Sequence, residues 1–215
     1  MVTTTIKSSE IEFGKCNKNL LEEVIFYGIS LGADFVELFI ENTDNSNVLA
    51  EEDFITSVSP SFGKGAGIRI FKDTRDGFVS TNDLSRKGLI SSLTQAIEML
   101  DIDSTTIRRF EGLENIRNYS IDKNTWIESI PTVNEIGEKL LLSTNFLKKE
   151  EKVNVRKGSY ARNWQKVIIA SSDGTFAKDI RLHQTVGLNV IALDKQYRSS
   201  GSRRFGSSDS PNEFK

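Results

Sequence analysis

Glycine and lysine crowd together in GKGAGIRIFKDTRDGFVSTNDL, residues 63–84 of this 215-residue chain, where Gly63, Gly65 and Gly67 alternate with Lys64 and Ala66. Such a stretch raises the question of a phosphate cradle, in which backbone amides and a helix dipole converge on an anion. That device requires a strand, a glycine loop and then the first turn of a helix. Here the glycines are followed by IRIF, a strand pattern, and no lysine stands directly between the last glycine and a Ser or Thr. The nucleotide reading fails on that order. The three glycines instead allow close backbone approach, or a bulge, where a strand begins.

Other groups with chemical potential are few. The single histidine, His183, shares a strand face with Arg181, Thr185 and Asn189. No nucleophile or partner is placed beside it, so it reads as a solvent-side histidine. The single cysteine, Cys16, precedes the first helix; a helix terminus can lower a thiol pKa, but without a partner group the residue reads as a bystander. A catalytic zinc needs about three protein ligands and a structural one about four, more than one His and one Cys supply. TDNSN is too short for a calcium loop and lacks the closing glutamate. The acid pairs Glu22-Glu23, Glu51-Glu52 and Glu150-Glu151 read as solvated surface.

Charge excludes a further class. With 28 Lys+Arg against 30 Asp+Glu, the net charge is -2, whereas nucleic-acid binders carry a basic surplus to neutralise phosphates. The 13 phenylalanines are scattered, not arrayed on a basic stacking platform. No nucleic-acid partner is expected. Arg198, Arg203 and Arg204 lie in a Ser/Gly-rich tail, read as a solvated segment with contact to an anion as the alternative. Hydrophobic residues make up 37% and charged residues 27%, the profile of a soluble folded chain. Burial of roughly 70% of the unfolded surface holds a core without disulfides, and a lone cysteine fits a reducing cytosol. No run approaches about 18 apolar residues, so no membrane span is expected. MVTTTIKSSEIEFG lacks a secretory signal pattern, and the expected location is the cytoplasm.

The elements that would position these groups follow from periodicity. Leu20, Leu21, Val24, Ile25, Gly28 and Leu31 recur at helical steps after a plausible N-cap at Asn17, with Gly32 as a left-handed stop. DFVELFIE alternates as a strand, ENTDNSN supplies turn residues, and VLAEEDF returns antiparallel. Asp76-Gly77 predicts a hairpin turn between IRIF and GFVST. A second helix runs through Leu89, Ile90, Leu93, Ile97 and Leu100, capped by Asp83 or Ser85. Pro131 stands at a favoured first helical position ahead of Val133, Ile136, Leu140 and Leu147 on one face, with Lys148 and Lys149 near the negative end of the dipole. Then come KVNVRKGSYA, NWQKVIIAS, a turn at Asp173-Gly174, and a long alternation through Ile180, Leu182, Val186, Leu188 and Val190. The predicted fold class is α+β, with antiparallel sheets built from β-hairpins and covered by amphipathic helices. The predicted division is an N-terminal α+β segment at 1–100, a connection at 101–130, and a second α+β segment at 131–215 with the long hairpin and the Ser/Gly/Arg-rich exit.

Together GADFVELFIENTDNSNVLAEEDFI and GKGAGIRIFKDTRDGFVSTNDL, followed by a helix, resemble the N-terminal region of the TldD/PmbA proteins. These are bacterial and archaeal zinc metallopeptidases that have also carried the label modulator of DNA gyrase. IIASSDGTFAKDIRLHQTVGLNVIALD is similar to the family's second segment and QYRSSGSRRFG to its glycine- and arginine-bearing exit, so the resemblance runs from Leu20 to Gly206. It looks closer to the TldD branch than to PmbA. What it implies is a cytosolic peptidase assembly acting on unfolded or leader peptides, in dimers of like or paralogous subunits. The family's metal motif pairs two histidines around a glutamate on a helix of a C-terminal half. This chain has one histidine and ends at Lys215, so no metal ligand or catalytic glutamate carries over. Zinc belongs to the intact family, and no cofactor is expected in this chain. The leading expectation is therefore the N-terminal part of a TldD-type metallopeptidase, from a truncated or split gene or an excised domain, inactive alone. The alternative is a non-catalytic peptide-binding or assembly module that pairs with a complete peptidase subunit. A sheet edge can hold an extended peptide by strand addition. Gly65, Gly67 and Arg69 are the candidates for a peptide-cleft edge, against a structural glycine turn with a surface arginine.

Overall fold

A computed structural model describes residues 16–102, 109–118 and 131–208. The N-terminal stretch, most of the predicted connection and the last seven residues lie outside that description. The chain runs α1 (Lys18–Ser30), β1 (Phe35–Glu51), β2 (Phe54–Lys72), β3 (Arg75–Thr81), α2 (Arg86–Met99), β4 (Glu114–Asn118), α3 (Val133–Phe146), β5 (Val153–Ser171), β6 (Thr175–Asp194) and β7 (Tyr197–Ser207). A short 3₁₀ turn, Leu147–Lys149, continues α3.

Helix boundaries follow local chemistry. Asn17 Oδ1 accepts the Leu20 amide at 3.0 Å to open α1, and Gly32 at φ +97° lets the chain leave it. Ser85, not Asp83, caps α2 through the Gly88 amide; Asp83 instead accepts the amide of Ser85 at 2.9 Å. Thr132 and Glu135 form a reciprocal capping box that opens α3. Pro131 thus lies before the cap rather than in the first turn, because Thr132 supplies the oxygen that the free amides need.

The seven described strands form one sheet in the order β3-β2-β1-β5-β6-β4, with β7 paired to the Gln184–Asp194 part of β6. Among the described strands only β4 is parallel to its neighbour. The fold is α+β, and the two helix–hairpin segments share this sheet instead of building separate ones. Their junction is β1 against β5, where Glu37–Glu51 pair with Ser171–Lys157 without a register shift. Alternate residues Val36, Leu38, Ile40, Val48 and Ala50 of β1 are buried on one face. At one end this face meets α1 and α2 through Leu21, Val24, Ile25, Leu89 and Leu93. At the other it meets α3 through Ile136 and Leu140. All the described helices therefore lie on the same side.

Several turns differ from the sequence expectation. ENTDNSN is strand, because its polar residues pair on both sides with β2 and β5; VLAE continues β1 rather than returning. The reversal comes at Glu52-Asp53, with Glu52 at φ +53°. The β2–β3 reversal uses Asp73-Thr74, with Asp73 at φ +52°, and not Asp76-Gly77. Gly77 sits inside β3, where an added Cβ would lie 3.2 Å from the Ala96 carbonyl of α2. KVNVRKGSYA and NWQKVIIAS merge into the single strand β5. The Ser/Gly-rich tail is ordered as β7, paired along β6 from Asp194↔Tyr197 to Gln184↔Ser207.

The β1–β2 turn is held by an ion pair. Arg156 of β5 donates from Nε and Nη2 to Glu52 Oε2, and its amide donates to Glu52 Oε1 at 2.9 Å. Asp53 beside it accepts from Lys148 at 2.9 Å. Burial opposes ionisation of Glu52, but the bonds from Arg156 outweigh it and hold the carboxyl below its ordinary value of 4.5. A depressed folded pKa gives stability that is complete above the unfolded pKa and is lost as pH falls through the folded one. Acid titration of unfolding should therefore show stability falling below pH 4.5, with a shallower fall in Glu52→Gln; identical acid limbs would contradict the staple.

Candidate functional site

No described helix covers the second face of the sheet, the one that carries Glu37, Phe39, Glu41, Thr43, Asn45 and Asn47 of β1. Cross-strand pairing places the side chains of Gln165, Asn163 and Ser159 on the same side, and beyond them Arg181, His183, Thr185 and Gly187. Polar side chains bond across the strands. Gln165 donates to Glu41 at 2.8 Å, Arg181 donates to Asp179 at 2.8 Å and to Gln165 at 3.5 Å, and Asn163 donates to Asn45. His183 is exposed within this belt, beside a hollow of about 410 Å³ that Asn45, Asn47, Ser61, Ala161, Asn163 and Thr185 also line.

The alternating glycines form a trough in this face. Gly63, Gly65 and Gly67 lie within β2 opposite Thr43, Glu41 and Phe39, in unbroken register. The only register irregularity of the β1–β2 pair falls at Leu49/Ala50, so close approach rather than a bulge explains the glycines. A Cβ at Gly67 would stand 3.0 Å from the Phe78 ring, one at Gly65 3.1 Å from the Thr81 carbonyl, and one at Gly63 2.6 Å from Thr43 Oγ1. The resulting hollow of about 340 Å³ is walled by Phe39, Phe78, Ser80 and Asn82. Gly65 and Gly67 thus come together at one site, while Arg69 does not line it. Its guanidinium is bonded to Asp76 at 3.0 Å and lies 4.8 Å from the centre of the Phe71 ring.

Near the far end of the face, β1, β5, β6 and β7 border a groove of about 580 Å³. Its floor includes Ser159 and Gly187 and its rim Lys157, Ser202 and Arg204, whereas Arg203, opposite Leu188, adds only backbone to this side. Sequence reasoning missed the belt and this groove, because both arise from strands distant in the chain. The arginines were the one legible signal, set in a segment whose strand pairing Ser and Gly concealed.

Cys16 belongs to the main core cluster, and burial pushes its thiol up to about 11 against a weak opposing pull from Lys64. At that pKa thiolate is about a thousandfold scarcer than thiol at pH 8, so the group is a poor nucleophile. Among the described residues no three of His, Cys, Asp and Glu gather as a metal site. With Cys16 in the core and the single His183 exposed on the helix-free face, the residues present do not fit the zinc that the resemblance implies. No described helix is long and apolar enough to cross a membrane.

This arrangement defines an α+β sheet layer with helices on one side and a polar, grooved face on the other. A family model for PmbA/TldA metallopeptidase domain 1 matches residues 36–100, and one for the PmbA/TldA metallopeptidase central domain matches residues 116–214. The chain belongs to the PmbA/TldD family. Among solved structures it is similar to a protein described as a modulator of DNA gyrase from Bacteroides thetaiotaomicron, with TM-score 0.68 and 17% identity over 92% of this chain and 46% of that one. A protein described in the same way from Thermotoga maritima gives 0.68 and 13%, over 91% and 44%. TldE from Thermococcus kodakarensis gives 0.67 and 16%, over 90% and 44%. At these identities the likeness shows the fold, and the chain spans less than half the length of these relatives. A search of curated proteins finds no match to the sequence.

The buried thiol yields a direct check. Native protein at pH 8 should leave Cys16 unmodified by a chromogenic disulfide reagent, and one thiol per chain should react after denaturation. Rapid native modification would contradict its place in the core.

Proposed function

We propose that this chain is the peptide-holding N-terminal part of a TldD/PmbA-type metallopeptidase, which acts in the cytoplasm on unfolded or leader peptides together with like or paralogous subunits. The observation that carries this reading is the helix-free face, where both matched family domains contribute strands to one polar, grooved surface. Gly63, Gly65 and Gly67 remove the side chains that would keep an extended peptide away from β2. The side chains of Asn45, Asn163 and Gln165 offer donors and acceptors to a peptide main chain. Such recognition tolerates varied sequences, because its bonds go to backbone groups.

Zinc chemistry is assigned to no residue of this chain, whose histidine and cysteine do not assemble a site. The purified 215-residue chain should retain well under one zinc per molecule after dialysis and should not cleave peptides. Stoichiometric zinc together with hydrolysis would overturn the reading. Peptide holding is tested separately by fluorescence anisotropy with a labelled extended peptide. Gly67→Val, which fills the trough, should weaken binding by about tenfold, equivalent to roughly 1.4 kcal/mol, with circular dichroism unchanged. Undiminished affinity in that variant would show that the trough is not the peptide site.

A further inference from the structure

The arginines of β7 differ from those before them. Among the described side chains, Arg69 bonds Asp76, Arg86 bonds Glu23, Arg109 pairs with Glu111, Arg156 bonds Glu52, Arg162 bonds Asp44, and Arg181 bonds Asp179. Arg75 donates to the Leu100 carbonyl at 2.6 Å. Arg198 and Arg204 have no such partner among the described residues, and Arg203 has only the Phe205 ring, 5.5 Å from its guanidinium carbon.

Arg204 is placed by pairing. It stands opposite Gly187, and a Cβ at Gly187 would lie 3.7 Å from Arg204 Nε and 2.7 Å from Ser159 Oγ. The missing side chain thus leaves a floor beneath the guanidinium. Ser159, Asn189, Ser202 and Thr56 add hydroxyl and amide groups around the same groove. Its one carboxylate, Glu51, is already held by Lys157 at 3.0 Å. The groove therefore carries uncompensated positive charge, with a forked donor at its rim.

We propose that this groove binds a carboxylate-bearing segment of an extended peptide, with an Asp or Glu side chain received by the Arg204 guanidinium. A planar fork matches a carboxylate with two parallel hydrogen bonds. A peptide is favoured over a nucleic acid because the groove has no aromatic lining on which bases could stack. Among the described residues β7 also pairs only with β6, which leaves its outer edge as a template for an extended chain. The proposal rests on the reading of this face as a peptide surface and adds the charge class of what it accepts.

The test is anisotropy of the full chain with a labelled peptide of alternating Glu and Ser, its Gln-for-Glu counterpart, and an oligothymidylate. The Glu peptide should bind about tenfold more tightly than the Gln peptide, and less so as salt rises. Arg204→Gln should abolish that preference, while Arg204→Lys should keep part of it; each variant should match the parent circular dichroism. Equal binding of the two peptides, or a preference that survives Arg204→Gln, overturns the carboxylate site but leaves the peptide surface intact. Binding of neither peptide overturns both. Oligothymidylate binding as tight as that of the Glu peptide, and equally sensitive to Arg204→Gln, would reassign the groove to phosphate and overturn the proposal.

Discussion

The unbroken antiparallel pairing of β1 with β5 is the constraint on which the molecule depends. It joins a segment made of α1, β1–β3 and α2 to one made of α3 and β5–β7, and it sets which residues face the helices. A slip of one residue would turn Val36, Leu38 and Ile40 onto the helix-free face and expose them. The register is also pinned by polar groups in mid-strand. Arg162 Nη2 reaches Asp44 Oδ1 and Ser46 Oγ, each at 3.2 Å, while the next pair out, β5 with β6, is tied by Tyr160 donating to Gln184 at 3.1 Å in a buried site. Among the described residues Arg162 Nε is buried without a hydrogen-bond partner, a cost tolerated where the rest of the side chain locks two strands together.

This constraint also creates the candidate functional surface. Because strand side chains alternate, placing the helices against the even-numbered residues of β1 leaves the odd-numbered ones, Glu37 through Leu49, on the other side. Two of the hollows described on that side are shared between the segments, and the glycine trough abuts β1 at their junction. Neither segment alone would form the belt in which Glu41, Gln165 and Arg181 are linked. Affiliation with the PmbA/TldD family and the geometry of this face are the two supports for the proposed extended ligand across several strands.

Much of the fold was legible in the chain. Helical spacing around Leu21, Val24 and Ile25 and the caps at Asn17 and Ser85 are local effects, and they appear where local chemistry places them. Reversals were harder to read. Three hairpins turn at Glu52-Asp53, Asp73-Thr74 and Lys195-Gln196, with a non-glycine residue at positive φ in each. An Asp-Gly search passes over all of them and is drawn to Gly77, which is glycine because α2 packs closely against it. Likewise Thr43-Asp44-Asn45-Ser46-Asn47 has turn composition, yet flanking strands satisfy its backbone and side chains, so tertiary pairing overrides local preference. The same holds for the candidate site: the glycine trough was visible as a motif, whereas the Arg204 groove depends on Gly187 and Ser159, which only the β5–β6–β7 register brings together.

The central claim is that the helix-free face is where peptide is held. Amide chemical-shift mapping of the labelled chain with an unlabelled extended peptide tests it most directly. The account predicts that the largest shifts cluster on β2 around Gly63–Gly67 and on the facing positions of β5, β6 and β7. Shifts confined to α1, α2 or α3 would contradict it.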